Sequence, residues 1–457
     1  MIERELLEKY NKAVPRYTSY PPANFFYEDF NGDDYKKFLI SSNHDKPENI
    51  SLYIHIPFCP RLCYYCGCNT TITKNNAIIN SYIEALKKEI IMVSGYLADY
   101  RKVSQIHWGG GTPNALDVDI VKSIMDLIFE KFQLIPNAEI AMECSPAYLT
   151  KEYLDALFAM KFNRISLGIQ DFKKDVLKAV NRASPAMPVK VIMDYIRENS
   201  DAGINLDFIY GLPLQNTESF GETMGRAVEL QPDRLVTFSY AHVPWIKKSQ
   251  QKLEDYGLPA AELKLKMFET GYEIMTTAGY IPIGLDHYAK AEDDLSKALK
   301  NKSLHRNFQG YCTRQTTGQV YAFGTSAISQ LYSSYAQNTK DVKDYVKRIK
   351  DEQLPIDKGY KLGVDQIIIR EIINEIMCNQ YLSLRALAER LNIDLDAIKT
   401  FIPDNHKDLE VFEEDGLIDV FDDGIRVIGD GRFVIRNIAA AYDPILKTEQ
   451  KNFSKSI

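Results

Sequence analysis

Four of the seven cysteines fall within ten residues, in the run Cys59-Pro60-Arg61-Leu62-Cys63-Tyr64-Tyr65-Cys66-Gly67-Cys68. Four residues of extended chain span at most about 14 Å and three about 11 Å, so Cys59, Cys63 and Cys66 can curl around one small inorganic body. Iron-sulfur clusters are held by thiolates, usually four. Three thiolates leave one iron with an open position, and an open position makes a metal centre reactive rather than structural. The expected occupant is therefore an iron-sulfur cluster on Cys59, Cys63 and Cys66. A structural zinc ion is the competing occupant of such a loop, but no second Cys/His pair is spaced to complete its tetrahedron. Cys144, Cys312 and Cys378 stand alone in apolar settings and read as core residues. An odd cysteine count with four thiols this close suits ligation in a reducing compartment better than a disulfide framework.

Such a centre needs elements that hold it. Short β-rich apolar runs at 52–56, 103–108, 139–144, 164–169, 205–210 and 234–240 alternate with longer amphipathic stretches. In the first of these stretches Ile79, Tyr82, Ile83, Leu86 and Ile90 make one apolar helical face. Six such units predict an α/β fold with a parallel sheet closing into an open (β/α)6 barrel. The cysteine run follows the first strand, Gly109-Gly110-Gly111-Thr112-Pro113 the second, and Glu143, Gln170, Asp207 and Tyr240-Ala241-His242 mark later strand ends. In such barrels the C-terminal strand ends share one rim, so residues spread over the sequence converge there. Gly110 and Gly111 would let backbone N–H groups approach a ligand. Glu143 and Asp207 would be costly to bury unpaired. A bound ligand would partner them, and a salt bridge to Arg164 or Arg182 is the alternative.

Cys-x3-Cys-x2-Cys after a first strand, with the aromatic Tyr65 just before the third cysteine, resembles the radical S-adenosylmethionine superfamily. That resemblance implies a [4Fe-4S] cluster on Cys59, Cys63 and Cys66, with the methionine end of S-adenosylmethionine chelating the open iron and an electron from the cluster cleaving its sulfonium to a 5'-deoxyadenosyl radical. Further segments resemble one family within it, the oxygen-independent coproporphyrinogen III oxidases (dehydrogenases). These are Pro15-Arg16-Tyr17-Thr18-Ser19-Tyr20-Pro21, Tyr53-Ile54-His55-Ile56-Pro57-Phe58-Cys59, His107-Trp108-Gly109-Gly110-Gly111-Thr112-Pro113, Gly168-Ile169-Gln170-Asp171-Phe172 and the stretch 207–213. Tyr240-Ala241-His242, Gly284-Leu285-Asp286-His287 and His305-Arg306-Asn307-Phe308-Gln309-Gly310-Tyr311 complete the set.

The resemblance implies oxidative decarboxylation of two propionates of coproporphyrinogen III to vinyls, giving protoporphyrinogen IX in haem synthesis, with two S-adenosylmethionine molecules in one site. It implies cofactor contacts for Tyr53, Tyr65, Gly110, Gly111, Thr112, Glu143, Gln170, Arg182, Asp207, Ala241 and Ile328, and catalytic roles for Cys68 and Tyr53. Tyr65 is commonly Phe in the family, a departure that keeps the aromatic surface. A tetracarboxylate macrocycle needs arginine forks, and Arg16, His242 and Arg306 are the substrate candidates. A low-potential electron donor and an electron acceptor are implied as partners. A haem-carrier protein or a haem-modifying relative of the superfamily is the alternative. As the family is understood, the carrier lacks a fourth cysteine like Cys68 and the 15–21 segment, both present here.

At 457 residues, with 45% hydrophobic and 26% charged content, the chain reads as an ordered globular protein of several units. The expected boundaries are 1–48 as an extension over the barrel mouth, 49–290 as the barrel, 291–360 as a connecting segment with substrate and cofactor contacts, and 361–457 as a mostly helical, winged-helix-like cap. A net charge of −7 predicts no general attraction to nucleic acid or anionic membrane, and the acid-rich 394–415 stretch argues against DNA binding by the cap. No run approaches a membrane span and no signal peptide is legible, so the chain is expected to stay in the cytoplasm; a monomer is the expected state, and no residue pattern derives it.

Overall fold

The structure, a computed structural model, describes residues 4–314 and 319–448. Six parallel strands form its centre: β1 (Ile50–Ile56), β2 (Val103–Gly110), β3 (Leu134–Cys144), β4 (Arg164–Gln170), β5 (Gly203–Tyr210) and β6 (Arg234–Ser239), paired in that order. Each begins within two residues of its expected start except β3, which begins at Leu134. The helix Asn76–Ser94 starts where the Asn75 side chain accepts from the Ala77 N–H, and it buries Tyr82, Ile83, Leu86 and Ile90.

The sheet is larger than six strands. The strand Val320–Phe323 pairs parallel with β1, and Ile328–Gln330, Ser334–Asn338 and Ile356–Lys361 continue it antiparallel. His287–Ala289 and Ile281–Pro282 extend the β6 edge. Twelve strands thus form an open sheet, and the 291–360 stretch, expected as a connector, supplies four of them. Short, polar strands such as Ser334–Asn338 lack the apolar rhythm that exposes a strand to sequence reading.

The N-terminal mouth of the barrel is plugged by ions. Arg164 donates to Glu139 at 2.6 Å, and Arg234 and Asp293 lie beside them. Burial works against the Glu139 carboxylate, yet the charges of Arg164 and Arg234 hold its pKa down to about 2. Arg164 is therefore committed at the opposite end from Glu143 and Asp207.

The stretch 362–448 holds helices Val364–Asn379, Leu384–Leu391, Leu395–Phe401 and His406–Glu414 and a three-stranded sheet ending in the hairpin Ile418–Phe421/Gly424–Val427. Its core includes Tyr10, Tyr17 and Tyr20 from the N-terminal segment. Arg436 Nε donates to the Pro15 carbonyl at 3.0 Å, Asn437 Nδ2 to Tyr10 at 3.0 Å, and Tyr17 Oη to Asp443 at 2.9 Å.

One buried group in the outer layer sets a pH dependence. Glu89 accepts from Tyr345 Oη, Gly324 N and Asn338 Nδ2, and burial pushes its pKa up to about 7. An unfolded glutamate titrates near about 4.3, so the folded chain binds that proton more tightly and stability falls as pH rises between these values. Relative to Glu89→Gln, the wild type should lose on the order of 3 kcal/mol between about pH 4 and pH 8, measured by urea unfolding of both proteins. Parallel pH profiles for the two would contradict this.

Candidate active site

The strand order brings the marked residues to one rim. Cys59, Cys63, Cys66 and Cys68 line a cavity of about 170 Å³ with Tyr65, Gly110, Gly111, Thr112, Glu143, Gln170, Arg182 and Asp207. A larger depression, about 790 Å³, lies on the outer helices among lysines, carboxylates and apolar side chains such as Lys88, Asp126 and Ile91 and holds none of these groups. The cysteine loop is tied down on both sides. Tyr64 N donates to the Val180 carbonyl at 3.0 Å and Asn181 Nδ2 to Leu62 at 2.7 Å.

The glycine segment works differently from the expectation of free N–H groups. Gly111 N donates to the Ile56 carbonyl at 2.7 Å and Thr112 N to Phe58 at 2.9 Å. The β1–β2 pairing runs past the strand ends and consumes these donors, while Gly110 N faces Glu143 Oε2 at 3.4 Å. What the glycines provide is closeness. Gly110 sits at φ +108°, and a Cβ on Gly111 would lie 2.7 Å from the Phe58 carbonyl oxygen, where only backbone could yield. Gly111→Ala should destabilise the loop by about 1–3 kcal/mol and lower iron and sulfide per chain after reconstitution. Unchanged metal content would refute that.

Around the cavity, Thr112 Oγ1 donates to Cys59 Sγ at 3.3 Å. Arg182 donates to the Gly168 carbonyl at 2.5 Å and reaches Cys63 Sγ at 3.8 Å. Arg182 thus meets thiols and backbone, so neither alternative salt bridge to Glu143 or Asp207 forms. Glu143 instead contacts His107 Nε2 at 3.0 Å. Burial disfavours the protonated imidazole, but the hydrogen bond and charge of Glu143 raise the His107 pKa above its ordinary value. Burial first, then the neighbouring Glu143 charge, pushes Asp207 up to about 7. Gln170 adopts φ 70° where the β4–β5 register shifts, a left-handed backbone rare for a side-chain-bearing residue.

Tyr53 lies one layer below the cavity, its hydroxyl 3.1 Å from His55 Nδ1 and its ring stacked on His107 at 5.9 Å. His55 and His107 are thus site neighbours that the motif residues alone do not single out. Their spacing of two from Tyr53 and Gly109 was the available signal, since alternate strand residues share a face. Ala241 is exposed just past β6, its carbonyl accepting from Gln250 Nε2 at 3.2 Å, and Ile328 lies in the antiparallel extension. Neither lines this cavity.

The substrate candidates divide. Arg16 donates to Asp286 at 2.9 Å, and Arg306 Nη1 donates to the Arg16 carbonyl at 2.8 Å across 290 residues of sequence. His242 stands apart, 2.9 Å from Glu254. Arg436 and Asp286, not selected from the sequence, belong with the arginine pair. Burial and then the charges of Arg16 and Arg306 lower the Arg436 pKa to about 10. Burial opposes the Asp286 carboxylate, yet the hydrogen bond from His287 and the charges of His287, Arg16 and Arg306 hold it far below the usual range. Asp286 also contributes to the upward shift of Asp207, and strand pairing sets Asp207 and His287 on either side of Val236, which brings this ionic cluster toward the cavity.

The donor set fits a cluster. Three thiols share the cavity, two of them with hydrogen-bond donors that stabilise thiolate. Among the described residues, no three His, Cys, Asp or Glu side chains stand close enough to hold a single ion. Cys59, Cys63 and Cys66 line one cavity, and thiols gathered at one place are the donor set that iron-sulfur clusters take.

A parallel barrel with such a rim defines a radical S-adenosylmethionine protein, and the profile of the Radical SAM superfamily matches residues 53–227. The oxygen-independent coproporphyrinogen III oxidase of Synechocystis is 42% identical over 99% of this chain and 97% of its own, and that of Escherichia coli 39% over 99% and 98%. The solved structure of Escherichia coli coproporphyrinogen III oxidase, described as a radical SAM enzyme, superposes with a TM-score of 0.89 at 37% identity, covering 97% of this chain and 99% of that one. The chain belongs to the oxygen-independent coproporphyrinogen III oxidase family.

Proposed function

We propose that this chain catalyses the oxygen-independent oxidative decarboxylation of coproporphyrinogen III to protoporphyrinogen IX in haem biosynthesis. The observation that carries the reading is the convergence of Cys59, Cys63 and Cys66 with Gly110, Glu143 and Asp207 on one rim, in a chain alike from end to end to relatives bearing that name. When bound, a [4Fe-4S] cluster with S-adenosylmethionine supplies a 5'-deoxyadenosyl radical.

The chain's own part is binding, orientation and exclusion of water. Cys59, Cys63 and Cys66 hold the cluster, with Thr112 and Arg182 donating to the thiolates. Glu143 and Asp207 offer acceptors to ammonium and ribose groups, Tyr65 a flat apolar wall, and Gln170 and Arg182 the polar edge of a second cofactor position, so the reading includes two S-adenosylmethionine molecules. Asp207, with a pKa of about 7, is a carboxyl whose charge a cationic ligand would restore. Arg16, Arg306 and Arg436 gather cationic groups for propionates beside that cavity, with His242 a more distant candidate. Cys68, exposed at the rim with its thiol hydrogen-bonded to Cys66, is the residue this reading assigns to substrate or second cofactor. The reading also includes a low-potential electron donor, a separate acceptor for the electron left after carbon dioxide is lost, a monomeric state and a cytoplasmic setting; no helix among the described residues is long and apolar enough to cross a membrane.

Anaerobic incubation of reconstituted protein with S-adenosylmethionine, dithionite, an electron acceptor and coproporphyrinogen III should yield 5'-deoxyadenosine and protoporphyrinogen IX together. Deoxyadenosine without porphyrin product would remove the substrate and keep the radical chemistry.

A further inference from the structure

The two most exposed large apolar side chains among the described residues are neighbours, Trp245 at 76% and Ile246 at 68%. They sit in the segment that follows β6 and folds back against the outside of the cysteine loop. Lys247 Nζ donates to the Cys68 carbonyl at 2.7 Å and Gln250 Nε2 to that of Tyr65 at 3.1 Å, while Lys252 lies over the Tyr64 ring at 4.6 Å. An apolar pair this exposed costs solubility unless something covers it, and here it adjoins the segment that carries the metal ligands.

Charge identifies what covers it. The chain as a whole has a net charge of −7, yet residues 57–74 contain Arg61 and Lys74 and no carboxylate. The 243–256 segment adds Lys247, Lys248 and Lys252 against Glu254 and Asp255, and Glu254 is engaged with His242. Lysines flanking an exposed tryptophan, packed on a loop that carries no carboxylate in an acidic protein, are complementary to an acidic partner and would steer its approach. Aromatic anchors inside a polar rim are the usual composition of a binding centre.

We propose that Trp245, Ile246, Lys248 and Lys252 form the docking surface for an acidic, low-potential one-electron carrier protein. This rests on the radical reading, which requires one electron per cofactor cleaved. The carrier's reduced centre loses one electron, the cluster gains it, and no bond forms or breaks in that step. Small, transient, salt-sensitive contacts are characteristic of such encounters.

The test uses cluster-loaded full-length protein and reduced flavodoxin as the probe carrier. Lys248→Glu/Lys252→Glu and Trp245→Ser should each weaken flavodoxin binding, read by titration calorimetry, by about tenfold or more, and slow flavodoxin-driven bleaching of the cluster absorption in proportion. Wild-type affinity should fall as salt rises. Deoxyadenosine formation driven by dithionite should match wild type in both variants. Absent or unaltered flavodoxin binding would overturn the proposal. So would a change of oligomeric mass in Trp245→Ser, which would assign the patch to a second copy, or a shifted KM for coproporphyrinogen III under dithionite, which would assign it to the substrate mouth. Wild-type protein that docks flavodoxin through these residues but forms no deoxyadenosine with dithionite would sink the radical reading and leave the surface standing.

Discussion

Serine at any one of Cys59, Cys63 or Cys66 is expected to abolish deoxyadenosine and protoporphyrinogen formation, with the anaerobically reconstituted protein losing most of its iron, acid-labile sulfide and charge-transfer absorption. The alkoxide is a poorer ligand for iron-sulfur centres than thiolate, and the other thiols lining the cavity are the exposed Cys68 and the buried Cys144, which stands on strand β3 outside the cysteine loop. The fold should survive, because these side chains are only partly buried and belong to a loop rather than to the barrel core. Cys68→Ser separates ligation from later chemistry. It should keep the absorption and sulfide of wild type while product formation falls. Full cluster content in Cys59→Ser, or loss of the cluster in Cys68→Ser, would show that the ligand set has been assigned to the wrong thiols.

Arg306→Leu should raise KM for coproporphyrinogen III by about 10- to 100-fold, the loss expected when one charge-assisted pair of about 1.5–3 kcal/mol disappears. The guanidinium is buried, its Nε lacks a partner, and Nη1 points at the Arg16 backbone. A buried cation with spare donors, two other arginines nearby and only Asp286 in the cluster to offset them is suited to an incoming carboxylate. Lysine at 306 should recover only part of the loss, since a point charge cannot reproduce the planar fork. Because Arg16 pairs with Asp286 while its backbone carbonyl accepts from Arg306, Arg16→Leu combined with Arg306→Leu should give a non-additive effect in a double-mutant cycle. Dithionite-driven deoxyadenosine formation without substrate, together with the thermal midpoint, distinguishes lost substrate binding from lost folding. A KM unmoved by Arg306→Leu would remove this cluster from substrate recognition.

The cysteine spacing, the alternation of apolar strands with amphipathic helices and the polar residues at strand ends were legible in the sequence because each is local. A thiol motif spans eight residues, and a strand or helical period shows within a dozen. Convergence of Glu143, Gln170 and Asp207 was also legible, since a parallel barrel has one C-terminal rim wherever its strands fall in the chain. What the amides of Gly111 and Thr112 bond to could not be read, because that depends on how far the β1–β2 register runs beyond the strands. Nor could the meeting of Arg16 with Arg306 and Arg436. It requires the N-terminal segment to be held by residues more than 400 positions away, Arg436 to Pro15 among them, and nothing local records such a pairing. The same holds for the four added strands, whose polar residues are stabilised by sheet neighbours rather than by their own periodicity. Sequence thus determined the reactive groups and the barrel that carries them. Tertiary packing alone decided which charges face one another, because the energy of an ion pair depends on distance in space and burial, and neither is a property of position along the chain.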